Sequence, residues 1–225
     1  MVHKIDEDIS PELGVLISAT LGNAVRWFTT MGDVRLGQSV VIIGPGQQGL
    51  AGVVVAKESG ADPIIVVGRS RDRKRLEMAR SFGADIVINS EEEDAVGAVS
   101  QVTGGEMADL VMDATGHPSG ASMALALAGT RATLVLPGLY GGDTQVPLLL
   151  DKVILKEMKL VGVFSHDFPA VEAAIKLVGR KKYPLEEMIS HHFPLDQAEE
   201  AVKLVGGEME GELPLKVVLN PSVLW

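Results

Sequence analysis

Residues 40–49 of the chain read VVIIGPGQQG, and this stretch decides the fold. The apolar run at its start has the length of a buried strand. The three glycines that follow, at positions 44, 46 and 49, have the spacing G-x-G-x-x-G. When this spacing comes directly after a strand and opens a helix, it predicts a site for the phosphate groups of a dinucleotide.

Each glycine has its own physical role in this interpretation. Gly44 permits a tight turn, Gly46 lets the backbone approach a pyrophosphate without a Cβ in between, and Gly49 lets the helix pack close to the strand. The free N–H groups and the positive dipole end of the helix then face the anion. The predicted contacts are Gly44, Gly46, Gln47, Gln48, Gly49 and Leu50. An ordinary strand-to-helix turn is the alternative interpretation.

Apolar runs alternate with amphipathic stretches along the chain. Strands without polar alternation are buried on both faces, and parallel strands need helical crossovers. This order therefore predicts an α/β fold, a doubly wound parallel sheet of about six strands with helices on both faces. The predicted sheet strands are residues 39–43, 63–67, 85–89, 109–113, 132–136 and 159–164, and a last strand covers 215–219. The predicted helices are residues 11–30, 50–59, 72–82, 91–102, 119–128, 149–156, 169–178 and 195–205.

The composition limits the function. With 46% hydrophobic residues, the 225-residue chain has enough apolar content to bury a core. Its formal net charge of −10 disfavours binding to nucleic acid or to an anionic membrane, since both need a basic field. Because the chain has no cysteine, disulfides, thiolate zinc sites and cysteine nucleophiles are excluded. The first ten residues lack the hydrophobic segment of a secretory signal, and we expect a cytoplasmic protein.

The end of the second predicted strand indicates which dinucleotide is bound. An acidic residue about 20 positions after the glycine motif binds the ribose of NAD, and here that position is Gly68. Five cations follow it, at Arg69, Arg71, Arg73, Lys74 and Arg75. Because guanidinium groups match phosphate, we favour NADP(H), with NAD(H) as the alternative. The predicted contacts at this end are Gly68, Arg69, Ser70 and Arg73. The solvated face of an amphipathic helix is the alternative interpretation of residues 73–75.

The order of these motifs resembles the medium-chain dehydrogenases/reductases, the zinc-type alcohol dehydrogenase group. The resemblance runs from about residue 10 to residue 221, nearly the whole chain. It is carried by GPGQQG (44–49), PIIVVG (63–68), ARSFGAD (79–85), ADLVMDATG (108–116), TLVLPGLYGG (133–142), KLVGVF (159–164), ISHHFPLDQAEEAV (189–202) and KVVLNP (216–221). Ser70 takes the family's acidic position when the helix that follows is aligned.

The resemblance implies a Rossmann-type fold and an NAD(P)-dependent oxidoreductase that transfers a hydride between the nicotinamide and an alcohol or carbonyl substrate. It implies that Ala114, Thr115 and Gly116 lie beside the nicotinamide ribose. It also implies that Pro137, Gly138 and Leu139 lie against the nicotinamide ring. The resemblance implies, in addition, that backbone groups around Phe164 hold the carboxamide and that the strand that carries them forms the contact of a homodimer.

The chain also departs from the family. It begins where the family's cofactor domain begins, so the catalytic domain with its zinc ligands is expected to be missing. A later family ligand falls near Leu16 or Ala19, which do not bind zinc. We therefore expect no zinc in this chain and assign no catalytic residue. A non-catalytic dinucleotide-binding module is the alternative function. A methyltransferase is a weaker alternative: it has a similar Gly-rich turn, but it usually needs an acidic residue at the end of the second strand, which is absent here.

Three further interpretations concern the organisation of the chain and its polar residues. Residues 1–35 form a helical lead-in, 36–165 the dinucleotide-binding domain, and 166–225 the helices and strand that pack on the catalytic domain in family members. His117 is a candidate polar contact near the ribose, although a role at the start of a helix is favoured. The acidic residues 91–94 are interpreted as the opening of a helix, where they interact favourably with its dipole.

Overall fold

Six strands form one parallel sheet in the computed structural model, which describes residues 2–209, 211 and 213–221. In chain order they are β1 (Val40–Ile43), β2 (Ile64–Gly68), β3 (Ile86–Asn89), β4 (Ala108–Asp113), β5 (Ala128–Leu136) and β6 (Lys159–Gly162). Their order across the sheet is β3-β2-β1-β4-β5-β6, and all five pairings are parallel. The predicted doubly wound α/β fold is confirmed.

Helices cover both faces of this sheet. Numbered in chain order, the longer helices of the described chain are α1 (residues 11–31), α2 (Gln47–Glu58), α3 (Arg73–Ser81), α4 (Ala95–Val102), α5 (Pro118–Leu127), α6 (Leu150–Leu155), α7 (Phe168–Gly179) and α8 (Ala198–Val205). Two further strands, β7 (Ile189–Pro194) and β8 (Lys216–Asn220), pair with each other in a separate parallel sheet. The final strand of the chain is thus confirmed, whereas β7 was missed.

The side chains of β1 alternate between two apolar cores. Val40 and Ile42 pack with α1, α2 and α7 on one face, and Val41 and Ile43 pack with α4 and α5 on the other. All four residues are buried. Because each face of the strand meets a helical layer, every position is apolar, which explains why the sequence shows no polar alternation here.

The first helix begins as its sequence indicates. The Ser10 hydroxyl caps the helix by accepting a hydrogen bond from the Leu13 N–H at 3.2 Å, and Pro11 is the first helical residue. The helix includes two π-helical segments, Ile17–Gly22 and Arg26–Met31. The following α-helix packs tightly on α1, since a Cβ on Gly52 would lie 2.8 Å from the ring of Phe28.

Two boundaries differ from the predicted ones in ways that affect the site. Helix α2 begins at Gln47, so half of the glycine motif is already helical. Helix α4 begins only at Ala95, with Asp94 as its N-cap. The prediction that residues 91–94 open a helix is therefore wrong for 91–93, which form the turn before it. Within the described residues, no helix has both the length and the apolar character needed to cross a membrane.

Candidate functional site

A cleft of about 700 Å³ lies at the carboxyl ends of β1, β2 and β4. The strand order reverses at β1, because β2 pairs with one side of it and β4 pairs with the other. Open α/β sheets bind ligands at such a reversal of strand order. The predicted site residues that line the cleft are Gly44, Gly46, Gly68, Arg69, Ala114, Thr115 and Gly116.

The glycine turn has the geometry that a bound phosphate needs. Gly44 has a φ of +92°, which favours glycine, and a Cβ on Gly49 would lie 2.0 Å from the carbonyl oxygen of Gly44. These two glycines are therefore required by the fold itself. Gly46 differs, because a Cβ there would meet no protein atom within 4 Å. The open space beside Gly46 fits the pyrophosphate of a dinucleotide.

The N-terminus of α2 presents backbone groups to this space. Gly46 is its N-cap and no side chain caps the helix, which leaves its first N–H groups for a ligand. The side chains of Gln47 and Gln48 bind α1 instead: Gln47 accepts from the Thr20 hydroxyl, and Gln48 donates to the Ala19 carbonyl. The Leu50 side chain is buried, and its N–H donates to the Gly46 carbonyl. At Gln47 and Gln48, the backbone N–H groups and not the side chains are thus left for the predicted contact with the phosphates.

A carboxylate that sequence reasoning missed lies at the end of β2, where the sequence predicts the adenosine ribose. Gly68 pairs with Asn89 across β2 and β3, and Glu91 follows two residues later. Its carboxylate accepts from the Arg69 guanidinium at 2.7 Å and from the Ser70 N–H at 2.9 Å. Together these hydrogen bonds, the one from Ser70 first, lower the pKa of Glu91 to about 2. The adjacency of the two strands was the signal that could have found this residue.

Most of the predicted cations at this end have carboxylate partners. Arg73 pairs with Glu92 at 3.2 Å, and Arg75 pairs with Asp72 at 3.4 Å. Asp72 also accepts from the Arg69 N–H and is buried in the wall of the cleft. Arg71 lines the cleft, and no other described residue forms an ion pair with it. Arg71 is therefore the cation that a ligand meets without first breaking an ion pair.

Asp113 organises the loops at the end of β4. It is fully buried, and it accepts from the Thr115 hydroxyl at 2.6 Å and from the Tyr140 hydroxyl at 2.8 Å. Burial and the hydrogen bond to this carboxylate raise the pKa of Tyr140. A Cβ on Gly138 would lie 2.6 Å from the Cα of Gly116, so the loops after β4 and β5 touch. The bond from Tyr140 ties the second loop to the first.

The remaining predicted contacts lie outside the lining of this cleft. Leu139 and Phe164 are exposed on the surface, and Pro137 lies in the same loop as Leu139. The carbonyl oxygen of Phe164 accepts from the Arg26 guanidinium at 2.9 Å. Their predicted roles beside the nicotinamide stay predictions. His117 does cap α5, since its Nδ1 accepts from the Ser119 N–H, and it also lines the cleft.

The described residues do not fit the zinc site of the resembled family. No three histidine, aspartate or glutamate side chains among them lie close enough together to hold a metal ion. The complete sequence has no cysteine to supply a thiolate. We therefore assign no reaction step of this chain to zinc.

Known proteins are similar to this chain in sequence and in fold. The family of zinc-binding dehydrogenases matches residues 49–180. A "Probable alcohol dehydrogenase" of Mycobacterium tuberculosis is 34% identical over 98% of this chain and 60% of its own length. An L-threonine 3-dehydrogenase of Bacillus subtilis is 32% identical over 95% of this chain and 59% of its own length. The structure of an alcohol dehydrogenase from Thermotoga maritima superposes with a TM-score of 0.87 at 28% identity, covering 98% of this chain and 60% of that one.

The chain belongs to the zinc-binding dehydrogenase family. Its fold and its matches correspond to the cofactor-binding domain of the medium-chain dehydrogenases, as the sequence resemblance implied. The chain spans about 60% of the length of the relatives that it matches.

Titration of Tyr140 tests the contact with Asp113. The chain has two tyrosines, so Tyr183→Phe leaves Tyr140 alone. We expect tyrosinate absorbance to develop well above pH 10.0 in the folded variant, because burial and the Asp113 bond favour the neutral phenol. Since this pKa is raised, the stability that the contact contributes is complete below pH 10.0 and is lost as the pH rises further. An unfolded control gives the ordinary pKa, and the same midpoint in the folded protein would contradict the contact.

Proposed function

We propose that this chain is the dinucleotide-binding part of an NAD(P)-dependent dehydrogenase that transfers a hydride between the nicotinamide and an alcohol or carbonyl substrate. The observation that carries the proposal is the open space beside Gly46, at the helix N-terminus and at the reversal of strand order. The names of the relatives, an alcohol dehydrogenase and a threonine dehydrogenase, support the substrate class.

Each part of the cleft has a separate task in this proposal. The first N–H groups of α2 hold the pyrophosphate, and residues 68–71 hold the adenosine ribose. Ala114, Thr115 and Gly116 position the second ribose, where the bond from Thr115 to Asp113 fixes the loop. Residues 137–139 and the backbone near Phe164 orient the nicotinamide, which when bound supplies the hydride chemistry. We assign no residue of this chain to proton transfer or to polarisation of the substrate.

Arg71 supports NADP(H) as the preferred cofactor. A 2′-phosphate is the group that distinguishes NADP from NAD, and a guanidinium binds it with charge-assisted hydrogen bonds. Arg69 and Arg73 already pair with Glu91 and Glu92, whereas Arg71 lines the cleft with no ion-pair partner in the described part of the chain. The proposed preference for NADP(H) therefore depends on Arg71 more than on Arg69. Arg69 is among the contacts that the sequence predicts.

A homodimer is part of the proposal. Strand β6 pairs only with β5 in the described sheet and so leaves one edge open. An open edge is a template for pairing with another strand. Exposed apolar side chains lie on β6 or close to it along the chain: Leu150, Ile154, Leu155, Leu160 and Phe164. A cytoplasmic location stays a prediction from the composition.

Replacing Gly46 with Val tests the dinucleotide site. The new side chain enters the space proposed for the pyrophosphate, and its Cβ meets no protein atom within 4 Å, so we expect the fold to survive. Binding of NADPH, followed by its fluorescence, should weaken about tenfold or more, which is ~1.4 kcal/mol or more of binding free energy. Gly179→Val is the matched control, because a Cβ there also meets no atom within 4 Å and the residue lies outside the cleft lining.

Two outcomes of this experiment bear on the function. If the wild-type chain binds neither NADPH nor NADH at millimolar concentration, the proposal is wrong. If it binds them and Gly46→Val binds equally well, the pyrophosphate does not lie beside Gly46. Assays with a panel of alcohols and carbonyl compounds then separate an enzyme from a non-catalytic dinucleotide-binding module, since only the enzyme turns them over.

Replacing Arg71 with Ala tests the cofactor preference. Loss of a charge-assisted hydrogen bond, about 1.5–3 kcal/mol, should weaken NADPH binding about tenfold or more. NADH binding should change by less than about twofold, because NADH has no 2′-phosphate. Lys74→Ala removes an exposed neighbouring cation outside the cleft lining and serves as the control. Equal effects of Arg71→Ala on the two nucleotides would contradict a contact with the 2′-phosphate.

Replacing Leu160 with Lys tests the dimer. The substitution places a charge on the exposed strand edge, and we expect sedimentation velocity to show a monomer where the wild-type chain forms a dimer. Val202→Lys is the control, because Val202 is exposed on α8, which packs on β7 and β8. A wild-type chain that sediments as a monomer at all concentrations contradicts the proposed dimer.

A further inference from the structure

We propose that Glu91 is a specificity-determining residue: its carboxylate occupies the position that the 2′-phosphate of NADP(H) needs, and so it limits the preference for NADP(H) over NAD(H). This inference rests on the proposed function, because it concerns the same dinucleotide site. It goes beyond that function by assigning a role to a residue that follows β3, the strand next to the one whose end usually selects the cofactor.

Glu91 is held as a bound anion would be held. The guanidinium of Arg69 donates to Oε1 of Glu91 from Nε at 2.8 Å, its Nη2 lies 2.7 Å from the same oxygen in an ion pair, and the Ser70 N–H donates to Oε2 at 2.9 Å. A guanidinium next to a backbone N–H is an arrangement that binds carboxylate and phosphate alike. The donors Arg69 and Ser70 therefore form an anion-binding position, and the Glu91 carboxylate occupies it.

This position belongs to the cleft. Arg69, Arg71 and Glu91 all line it. Asn89 joins the two sides, because its amide donates to the Ser70 hydroxyl at 3.0 Å and its side-chain oxygen accepts from the Glu91 N–H at 3.2 Å. A ligand that reaches past the end of β2 thus meets Glu91 and its two donors together.

The two cofactors make different demands on this cluster. The 2′-hydroxyl of NAD can donate a hydrogen bond to the carboxylate, which then stays where it is. The 2′-phosphate of NADP is repelled by the carboxylate, so Glu91 must release Arg69 and Ser70 before the phosphate pairs with them. About 39% of the Glu91 side chain is exposed, which leaves it a path to turn into solvent. Glu91 therefore lowers the affinity for NADP without lowering that for NAD.

The pKa of Glu91 decides whether its carboxylate is charged near neutral pH. Hydrogen bonds from Ser70 and Arg69 hold its pKa near 2. The carboxylate is thus ionised near neutral pH, and its competition with the phosphate does not depend on pH there.

Glu91→Gln tests the inference in the 225-residue chain. Glutamine keeps an oxygen that accepts from the Ser70 N–H but removes the charge. Calorimetric titrations with NADP⁺, NAD⁺ and adenosine 2′,5′-bisphosphate measure the affinities. We expect the Kd for NADP⁺ and for the bisphosphate to fall about tenfold, while the Kd for NAD⁺ rises or changes by less than about twofold. Glu91→Ala is a second variant with the same expected direction.

Glu92→Gln is the matched control. Glu92 lies in the same turn as Glu91 and pairs with Arg73. Neither Glu92 nor Arg73 lines the cleft, so the ratio of the affinities for NADP⁺ and NAD⁺ should stay within about twofold. Melting temperatures verify that each variant is folded. If Glu91→Gln weakens both nucleotides equally, Glu91 only shapes the loop and the inference is wrong. An unchanged ratio of affinities overturns it as well, while the proposed function stands because wild type still binds. If wild type binds neither nucleotide, the proposed function itself has failed.

Discussion

The close approach between the start of α2 and the end of β1 is the constraint on which the site depends. The carbonyl of Gly44 occupies the space where a side chain at residue 49 would begin, 2.0 Å from an added Cβ. Any larger residue at position 49 would push the helix away from the strand. With glycine there, the N-terminus of α2 points into the cleft, and the pyrophosphate position that we propose beside Gly46 depends on that direction.

Most of the fold was predictable because its signals are local. Apolar strands such as β1 and β2, and the glycine spacing between β1 and α2, each lie within a few residues of sequence. The separate strand β7 was missed, because its exposed and half-buried residues form no continuous apolar run. The predicted start of α2 lies three residues late, since glycine and glutamine at positions 46–48 carry no strong helix signal.

The electrostatics of the cleft was harder to predict, because it depends on neighbours that are distant in sequence. The arginines at 69–75 indicated a cationic end, yet two of the carboxylates that balance them, Glu91 and Glu92, come from the turn after the next strand of the sheet. Local patterning assigned those acids to a helix terminus. Only the pairing of β2 with β3 brings Glu91 to Arg69, and among the cations that line the cleft it leaves Arg71 without an ion-pair partner in the described part of the chain.

The Ala19 carbonyl, in a π-helical turn of α1, accepts hydrogen bonds from the amide groups of both Asn23 and Gln48. Together with the hydrogen bond from Thr20 to Gln47, this oxygen anchors the first turn of α2 to a helix that precedes the whole sheet. A fragment cut to begin at β1 would keep every glycine of the motif and still lose that anchor. A segment that keeps this contact with the start of α2 therefore extends back through residue 19, well ahead of the glycine motif.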